Sequence, residues 1–274
     1  MASKAEVFLG TQGWNYEDWT DVFYPHGTKS AARLETYGRA FRTVEVDSTA
    51  YAIPADPLVR QWHTRSPAEF VFALKVPQAV THERRLKDTS KLLRRFLDRV
   101  AKLEDKLGPL LVQLSPGFRP SEANRVALRE FLGEISSDFR WAVEFRHPGW
   151  LTPATMELLR SRDVALVLAE GRWIRREMMT ELAIEPTAEF AYLRWLGQDR
   201  RLTDFSQTQL DREDDLKFWS ETIATLETRV SQVFGYFNNY YQGHAPDSVR
   251  AMQRLLGQDV VEPAELRVQG ELFA

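Results

Sequence analysis

Eight short hydrophobic runs recur along the chain, and longer polar or amphipathic stretches separate them. The runs lie at 7–10, 43–47, 70–76, 110–114, 141–145, 164–169, 190–196 and 232–238. Valine, phenylalanine and tyrosine are common in them, which is typical of β-strands. Several runs are hydrophobic at nearly every position, as expected of parallel strands that helices cover. The pattern therefore predicts eight buried strands.

The stretches between the runs carry apolar residues at the three- and four-residue spacing of amphipathic helices. Helical patterns lie at 89–107, 120–132, 151–163, 214–227 and 245–257, with weaker ones near 30–40 and 57–65. The stretch 170–189 is irregular. Strands that alternate with helices in this way predict the α/β class and a single (β/α)8 TIM-like barrel.

A doubly wound open sheet is the competing fold. Such a sheet usually has fewer strands and a glycine-rich turn after the first strand. The turn after the first run here, GTQGWNY at 10–16, lacks the G-x-G-x-x-G spacing. We expect the barrel domain to occupy 1–257. The polar, proline-containing segment 258–274 is expected to form a short, flexible C-terminal tail.

Composition narrows the chemistry. Hydrophobic residues make up 43% and charged residues 27%, which is typical of a globular protein. The absence of cysteine excludes thiolate catalysis and cysteine-bound metal centres. A net charge of −3 argues against a generally basic nucleic-acid surface but leaves a local basic groove open. We find no signal peptide or membrane-spanning run, and we expect a cytoplasmic protein with no membrane association.

Alternation along the strands places polar side chains on one face. The large apolar residues should meet the helices, so the polar face should point into the barrel mouth, where TIM barrels hold catalytic groups. The inward candidates are Glu45, Asp47, Lys75, Gln113, Glu144, Arg146, Arg194, Asn238 and Asn239. The loops beyond the strands add a rim of Trp14, Tyr16, Trp19, Tyr51, His82, His147, Trp150, Tyr240, Tyr241 and His244.

Six long motifs resemble one family. They are GTQGWNYEDWTDVFYP (10–25), FRTVEVDSTAYAIP (41–54), FALKVPQAVTH (72–82), QLSPGF (113–118), WAVEFRHPGWL (141–151) and GYFNN (235–239). Their order and content are similar to the YecE-like proteins, domain of unknown function seventy-two, over about 7–257. The resemblance implies a TIM barrel and no established reaction. The chain departs from the family pattern at LAEGRW (168–173), LRWLG (193–197) and NNYYQGHAP (238–246).

Our main hypothesis is an enzyme, a hydrolase or lyase, that acts on an anionic ligand by acid–base chemistry without a metal or other cofactor. A phosphorylated molecule, a nucleotide or a carboxylate would fit basic groups at the mouth. The expected catalytic residues are Glu45, Lys75, Glu144 and His147. The expected ligand-binding residues are Trp14, Tyr16, Asp47, Tyr51, His82, Gln113, Arg146, Trp150, Arg194, Asn238 and Asn239.

Three alternatives stay open. The carboxylates Glu45, Asp47 and Glu144 balance Lys75, Arg146 and Arg194, and one alternative is that these charges serve only to neutralise one another. A metal-dependent phosphodiesterase or nuclease-like hydrolase could use those carboxylates with His82, His147 and His244, although no metal-binding spacing supports it. A nucleic-acid-linked protein could dock on the sliding clamp through QGELF, with Gln269, Leu272 and Phe273 as anchors.

Overall fold

Eight parallel strands form a closed barrel in the computed structural model, which describes residues 4–198 and 201–268. The strands are β1 (Glu6–Gln12), β2 (Thr43–Val46), β3 (Val71–Lys75), β4 (Leu107–Gln113), β5 (Trp141–Glu144), β6 (Val164–Glu170), β7 (Phe190–Trp195) and β8 (Gln232–Phe237). Each pairs with the next along the chain, and β1 pairs with β8. The predicted barrel and all eight strands are confirmed.

Nine α-helices lie in the described residues and surround the barrel. They are α1 (Arg33–Ala40), α2 (Asp56–Arg65), α3 (Ser90–Val100), α4 (Glu122–Glu134), α5 (Pro153–Arg160), α6 (Arg176–Ala183), α7 (Glu213–Leu226), α8 (Ala245–Leu255) and α9 (Pro263–Val268). Within the described ranges, no helix combines the length and hydrophobicity needed to cross a bilayer.

The two faces of each strand have different roles, as the alternation predicted. On β5, Trp141 and Val143 belong to the large core between strands and helices, whereas Ala142 belongs to a second cluster inside the barrel. Phe8, Phe190 and Phe234 fill the lower part of the lumen, and the rings of Phe8 and Phe234 stack with centroids 5.0 Å apart. Side chains therefore fill the barrel from below, and the buried glutamates and Arg194 lie towards its carboxyl-terminal end.

Two segments differ from the expectation. The irregular stretch 170–189 contains α6, whose Met179 and Ala183 are buried one helical turn apart. The part of the expected tail that the structure describes contains α9, where Leu266 is fully buried. In addition, the Arg39 side chain of α1 donates to the Glu265 carbonyl oxygen at 3.2 Å. Packing against the barrel domain therefore continues beyond Gly257, because this segment has an apolar anchor.

Candidate functional site at the barrel mouth

Arg194 spans the lumen just below the barrel mouth. Its Nε and Nη2 donate to the two carboxylate oxygens of Glu45 at 2.8 and 2.6 Å, and its Nη1 donates to Glu144. These residues come from β7, β2 and β5, which are not adjacent, and all three are at least 98% buried. Inward-facing positions at one height of a barrel meet across its axis, so the three side chains form a closed cross-barrel clamp.

Further donors complete the hydrogen bonding of the two glutamates. The hydroxyl of Tyr192 donates to Glu45 at 2.7 Å, and the Gln113 amide donates to both Glu144 oxygens at 3.2 Å. Arg146 adds a bond from its Nε to Glu144 Oε1 at 2.7 Å. Buried carboxylates are tolerable only when paired and hydrogen-bonded in this way.

The two buried carboxyl groups have pKa values that move in opposite directions. Burial raises the pKa of Glu45 above its ordinary value, and the nearby charge of Arg194 only partly offsets this effect. Burial also acts on Glu144, but the charges of Arg194 and Arg146 outweigh it and lower its pKa to about 2. Glu144 is therefore ionised at neutral pH, and it holds the two arginines in place without being able to donate a proton.

A second, more exposed ion pair lies above the clamp. Lys75 Nζ is 3.2 Å from Asp47 Oδ1, and the side chains are 12% and 33% exposed. Asp47 also lies 3.9 Å from Arg194 Nη2. Together with the clamp, this pair brings three carboxylates and three cations into one contiguous network, which is the arrangement that mutual neutralisation requires.

His82 lies at the edge of this network on an unusual backbone. It belongs to a π-helix at Ala79–Glu83, directly after β3, and non-glycine residues with positive φ follow at Arg85, Leu86 and Asp88. Such one-turn π-helices and strained segments concentrate at functional sites. Burial, Arg146 and Lys75 lower the pKa of His82 below its ordinary 6.5, so its imidazole is neutral at pH 7.

Two of the remaining rim side chains, Tyr16 and Asn238, form hydrogen bonds with Gln12. Tyr16 donates to the Gln12 carbonyl oxygen at 2.8 Å, and burial together with Asp47 raises its pKa. Asn238 donates from its amide to Gln12 Oε1 at 2.9 Å. Tyr51 is 78% exposed, so its ring is free to contact a ligand.

Two mouth residues did not emerge from the sequence. Gln12 ends β1 and points inward, which alternation could have indicated. Trp173 lies in the loop after β6, and the guanidinium carbon of Arg146 is 6.0 Å from its ring centroid. No local signal identifies Trp173, because the position of a loop residue depends on how the loop packs.

Several expected site residues lie elsewhere. Trp150 is buried outside the barrel between the rings of Phe118 and Phe145, at 5.5 and 5.2 Å, and its Nε1 donates to the Phe118 carbonyl oxygen. Asn239 is also buried, and its Oδ1 accepts from the backbone N–H of Ala245 at 2.9 Å. These side chains maintain the packing of loops and have no open face towards the mouth.

The other displaced candidates also have local partners. His147 Nδ1 accepts from the Gly149 backbone N–H at 3.1 Å and caps a short 3-10 helix. Trp14 packs edge-on against Trp62 of α2, with ring centroids 5.9 Å apart. His244 is 2% exposed, and the distance from its Nδ1 to the Phe205 carbonyl oxygen is 2.7 Å.

Two further hypotheses concern a metal site and a peptide that docks on the sliding clamp. In 4–198 and 201–268, no three carboxylate or imidazole side chains are grouped as metal ligands would be. Glu45 and Glu144 instead direct their oxygens to Arg194. The proposed docking anchors Gln269, Leu272 and Phe273 lie outside the described residues.

Comparisons with known proteins agree with the fold. Residues 8–269 match the family described as "Protein of unknown function DUF72". The UPF0759 protein YecE of Escherichia coli K12 is 29% identical over 171 residues, which cover 61% of this chain and 60% of that protein. The UPF0759 protein YunF of Bacillus subtilis is 25% identical over 91% of this chain and 94% of its own length.

Solved structures show the same likeness. A DUF72 family protein from Thermotoga maritima superposes with a TM-score of 0.75 and 29% identity, covering 92% of this chain and all of that one. A DUF72 family protein from Enterococcus faecalis superposes with a TM-score of 0.72 over 93% of this chain and 97% of its own. Its identity to this chain is 19%, so it speaks for the fold alone.

Proposed function

The chain belongs to the DUF72 family, whose name assigns no reaction, and we propose its activity from the barrel mouth. The protein is an enzyme that binds a small anionic ligand between Lys75 and Arg146 and acts on it by acid–base chemistry. His82 carries the proton. Glu45, Glu144 and Arg194 form the rigid support beneath the ligand rather than the reacting groups.

The observation that carries this proposal is that one end of the Arg146 guanidinium is free of hydrogen bonds to the described residues. Arg146 contacts Glu144 through Nε, and in the described part of the chain its Nη1 and Nη2 donate no hydrogen bond. Its side chain is 19% exposed, so the planar end of the guanidinium can approach an oxyanion. Arginine suits such bidentate contacts. Because Glu144 fixes Nε, the free end is already oriented before a ligand arrives.

The hydrogen bonds of His82 support a base with a defined tautomer. Its Nδ1 lies 2.8 Å from the Thr81 hydroxyl, which itself donates to the Pro77 carbonyl oxygen at 3.4 Å. When the hydroxyl donates to Pro77 it accepts from Nδ1–H, which leaves the free lone pair on Nε2; this is the tautomer that the proposal requires. Nε2 would accept a proton from the ligand, and the resulting imidazolium would be stabilised by the bound anion.

A thermal-shift screen with phosphorylated sugars, nucleotides and small carboxylates tests the proposal. A ligand at about 100 times its Kd stabilises the folded state by about 2.7 kcal/mol, which raises Tm measurably. We expect a hit with wild type and a much smaller shift with Lys75→Met. Lys91→Met, on the exposed face of α3, serves as the matched control and should retain the full shift. Equal shifts in all three proteins would place the ligand elsewhere and contradict the proposal.

A nucleic-acid ligand is a second candidate, favoured by the basic surface of α3. Lys91, Arg94 and Arg95 are exposed there and have no carboxylate partner in the described ranges. Such a surface would contact phosphates with a strong dependence on salt. A fluorescent oligonucleotide that shows no salt-sensitive binding at low ionic strength would remove this candidate.

A further inference from the structure

A second polar cluster lies outside the barrel wall, between β6 and α7. Glu170 ends β6 and points away from the lumen, because Val167 and Ala169 occupy the inward positions of this strand. Glu170 is 7% exposed, and its Oε2 accepts one hydrogen bond, from Trp219 Nε1. Among the described residues no hydrogen bond to its Oε1 is formed, and this oxygen is not one of the buried side-chain atoms that lack a partner. Since Glu170 lines the cavity described below, Oε1 is an acceptor that a ligand in that cavity can use.

Two arginines near this carboxylate share a different acid. Arg176 pairs with Asp215, and Arg212 Nη1 donates to Asp215 Oδ2 at 3.0 Å. The Nε of Arg212 is buried and has no hydrogen-bond partner within 4–198 and 201–268. Burial raises the pKa of Glu170, and the bond from Trp219 with the charges of Arg176 and Arg212 only partly offsets this effect. The cluster thus has both donors and acceptors that the protein itself leaves unused.

These groups line a cavity of about 360 Å³. Its wall includes Glu170, Trp173, Arg212 and Asp215, together with Arg172, Arg175, Arg176 and Glu177 from the loop after β6 and the start of α6. Within the described chain, Arg172 and Arg175 have no carboxylate partner. The cavity wall therefore has four arginines against three acids.

Backbone donors add to this positive character. Arg175 precedes α6, and no side chain caps the first turn of that helix. Its first backbone N–H groups therefore remain available to an anion, and arginine side chains next to a helix start strengthen such a site. The ring of Trp173, with the guanidinium carbon of Arg172 4.3 Å from its centroid, forms an apolar side of the cavity.

We propose that this cavity binds a small hydroxylated oxyanion, such as a sugar phosphate or a hydroxy acid, at a site separate from the mouth. Arg172, Arg175 and the first amides of α6 bind the oxyanion. Glu170 Oε1 accepts a hydrogen bond from a ligand hydroxyl, which satisfies the unused oxygen. Trp173 borders both the mouth and the cavity. The site nevertheless does not depend on the chemistry proposed for Lys75, Arg146 and His82, because Glu170 lies on the opposite side of the barrel wall.

Calorimetric titration with glycerol 3-phosphate, glycerate and uncharged glycerol tests the site. We expect one or both anions to bind wild type and glycerol not to bind. Arg175→Ala should weaken binding at least about tenfold, as expected for loss of a charged hydrogen bond. Arg94→Ala, which removes an exposed arginine on α3, is the matched control and should bind like wild type. Lys75→Met should retain the binding that Arg175→Ala weakens.

The outcomes separate this site from the mouth. If Lys75→Met abolishes binding and Arg175→Ala does not, the anion occupies the mouth, which overturns this inference and leaves the proposed function standing. If neither anion binds wild type, the inference is also wrong, whatever the screen at the mouth finds. Glu170→Gln should weaken glycerol 3-phosphate but not methyl phosphate, which has no carbon-bound hydroxyl. Equal effects on both ligands would assign Glu170 a structural role and overturn its part in the site.

Discussion

The two ends of the barrel lumen each hold an arginine, but the partners differ. At the mouth, Arg194 bonds to Glu45 and Glu144, and ionisable groups surround all three. At the base, Arg140 Nη2 donates to the Leu107 carbonyl oxygen at 3.0 Å, and Nη1 donates to the Gln232 amide oxygen. The guanidinium carbon of Arg140 also lies 5.4 Å from the centroid of Phe234.

Under the proposed function, this difference separates the part of the barrel that contributes stability from the part that carries the chemistry. The partners of Arg140 are neutral, so no titration near neutral pH alters its contacts. The carboxylates around Arg194 fix an electrostatic field directly beneath Lys75, Arg146 and His82. This division matches the general property of TIM barrels, whose carboxyl-terminal face carries function and whose other face carries stability.

The largest expected difference between the two ends is the loss of stability when each arginine is replaced by methionine. Arg194→Met leaves two buried carboxylates without their main partner, which typically costs about 3–5 kcal/mol of the free energy of unfolding. Arg140→Met, the matched control, removes hydrogen bonds to neutral acceptors and should cost about 1–2 kcal/mol. Urea unfolding at pH 7 measures both values.

A companion variant distinguishes charge from packing. Arg194→Met combined with Glu45→Gln and Glu144→Gln removes the unpaired charges and should recover part of the lost stability. If the triple variant is no more stable than Arg194→Met, or if the two arginine variants lose equal stability, the clamp owes its importance to packing and the two ends are alike.

The fold and the composition of the mouth could be predicted because both depend on local patterns. Hydrophobic runs gave the strands, and period-two alternation placed Glu45, Glu144 and Arg194 on the inward face. Alternation could not say which charges pair, because partners such as Glu45 and Arg194 meet across the lumen. Whether two such side chains meet depends on how the barrel closes and not on the sequence next to either residue.

Loop residues were predicted less well, for a related reason. Trp150 and Asn239 follow strands, as mouth residues do, but contacts with neighbouring loop residues bury them. Glu170 was not predicted as a site residue because it faces the helices and not the lumen, and Trp173 was missed because the position of a loop residue depends on how the loop packs. Met179 and Ala183 of α6 are buried one helical turn apart, although the stretch was interpreted as irregular.

The free energy of unfolding should depend on pH through Glu144 of the clamp. The pKa of Glu144 falls from its ordinary 4.5 to about 2 on folding. A lowered folded-state pKa contributes stability that is fully present above the unfolded pKa and is lost as the pH falls towards 2. The difference corresponds to about 3 kcal/mol.

Comparing wild type with Glu144→Gln isolates this contribution. Wild type should be more stable at neutral pH, and its advantage should shrink as the pH falls from about 5 to about 2. Urea unfolding across this range measures the gap, and carboxylates outside the clamp contribute equally to both proteins. A gap that does not change with pH would mean that Glu144 is not ionised against Arg194.

The smallest expected effect is a change in the pKa of His82, and it tests whether a ligand binds beside Lys75 and Arg146. Lys75 and Arg146 help to lower the pKa of His82 below 6.5. A bound oxyanion would offset these charges and raise that pKa. NMR titration of the histidine ring protons, assigned with His82→Gln, measures the pKa with and without the ligand that the screen identifies.

Lys75→Met should raise the pKa of His82 without any ligand, because one of the two cations is then absent. If a ligand that stabilises the protein through Lys75 leaves the pKa of His82 unchanged, the imidazole is too far away to carry the proton, and the mouth binds an anion without His82 acting on it.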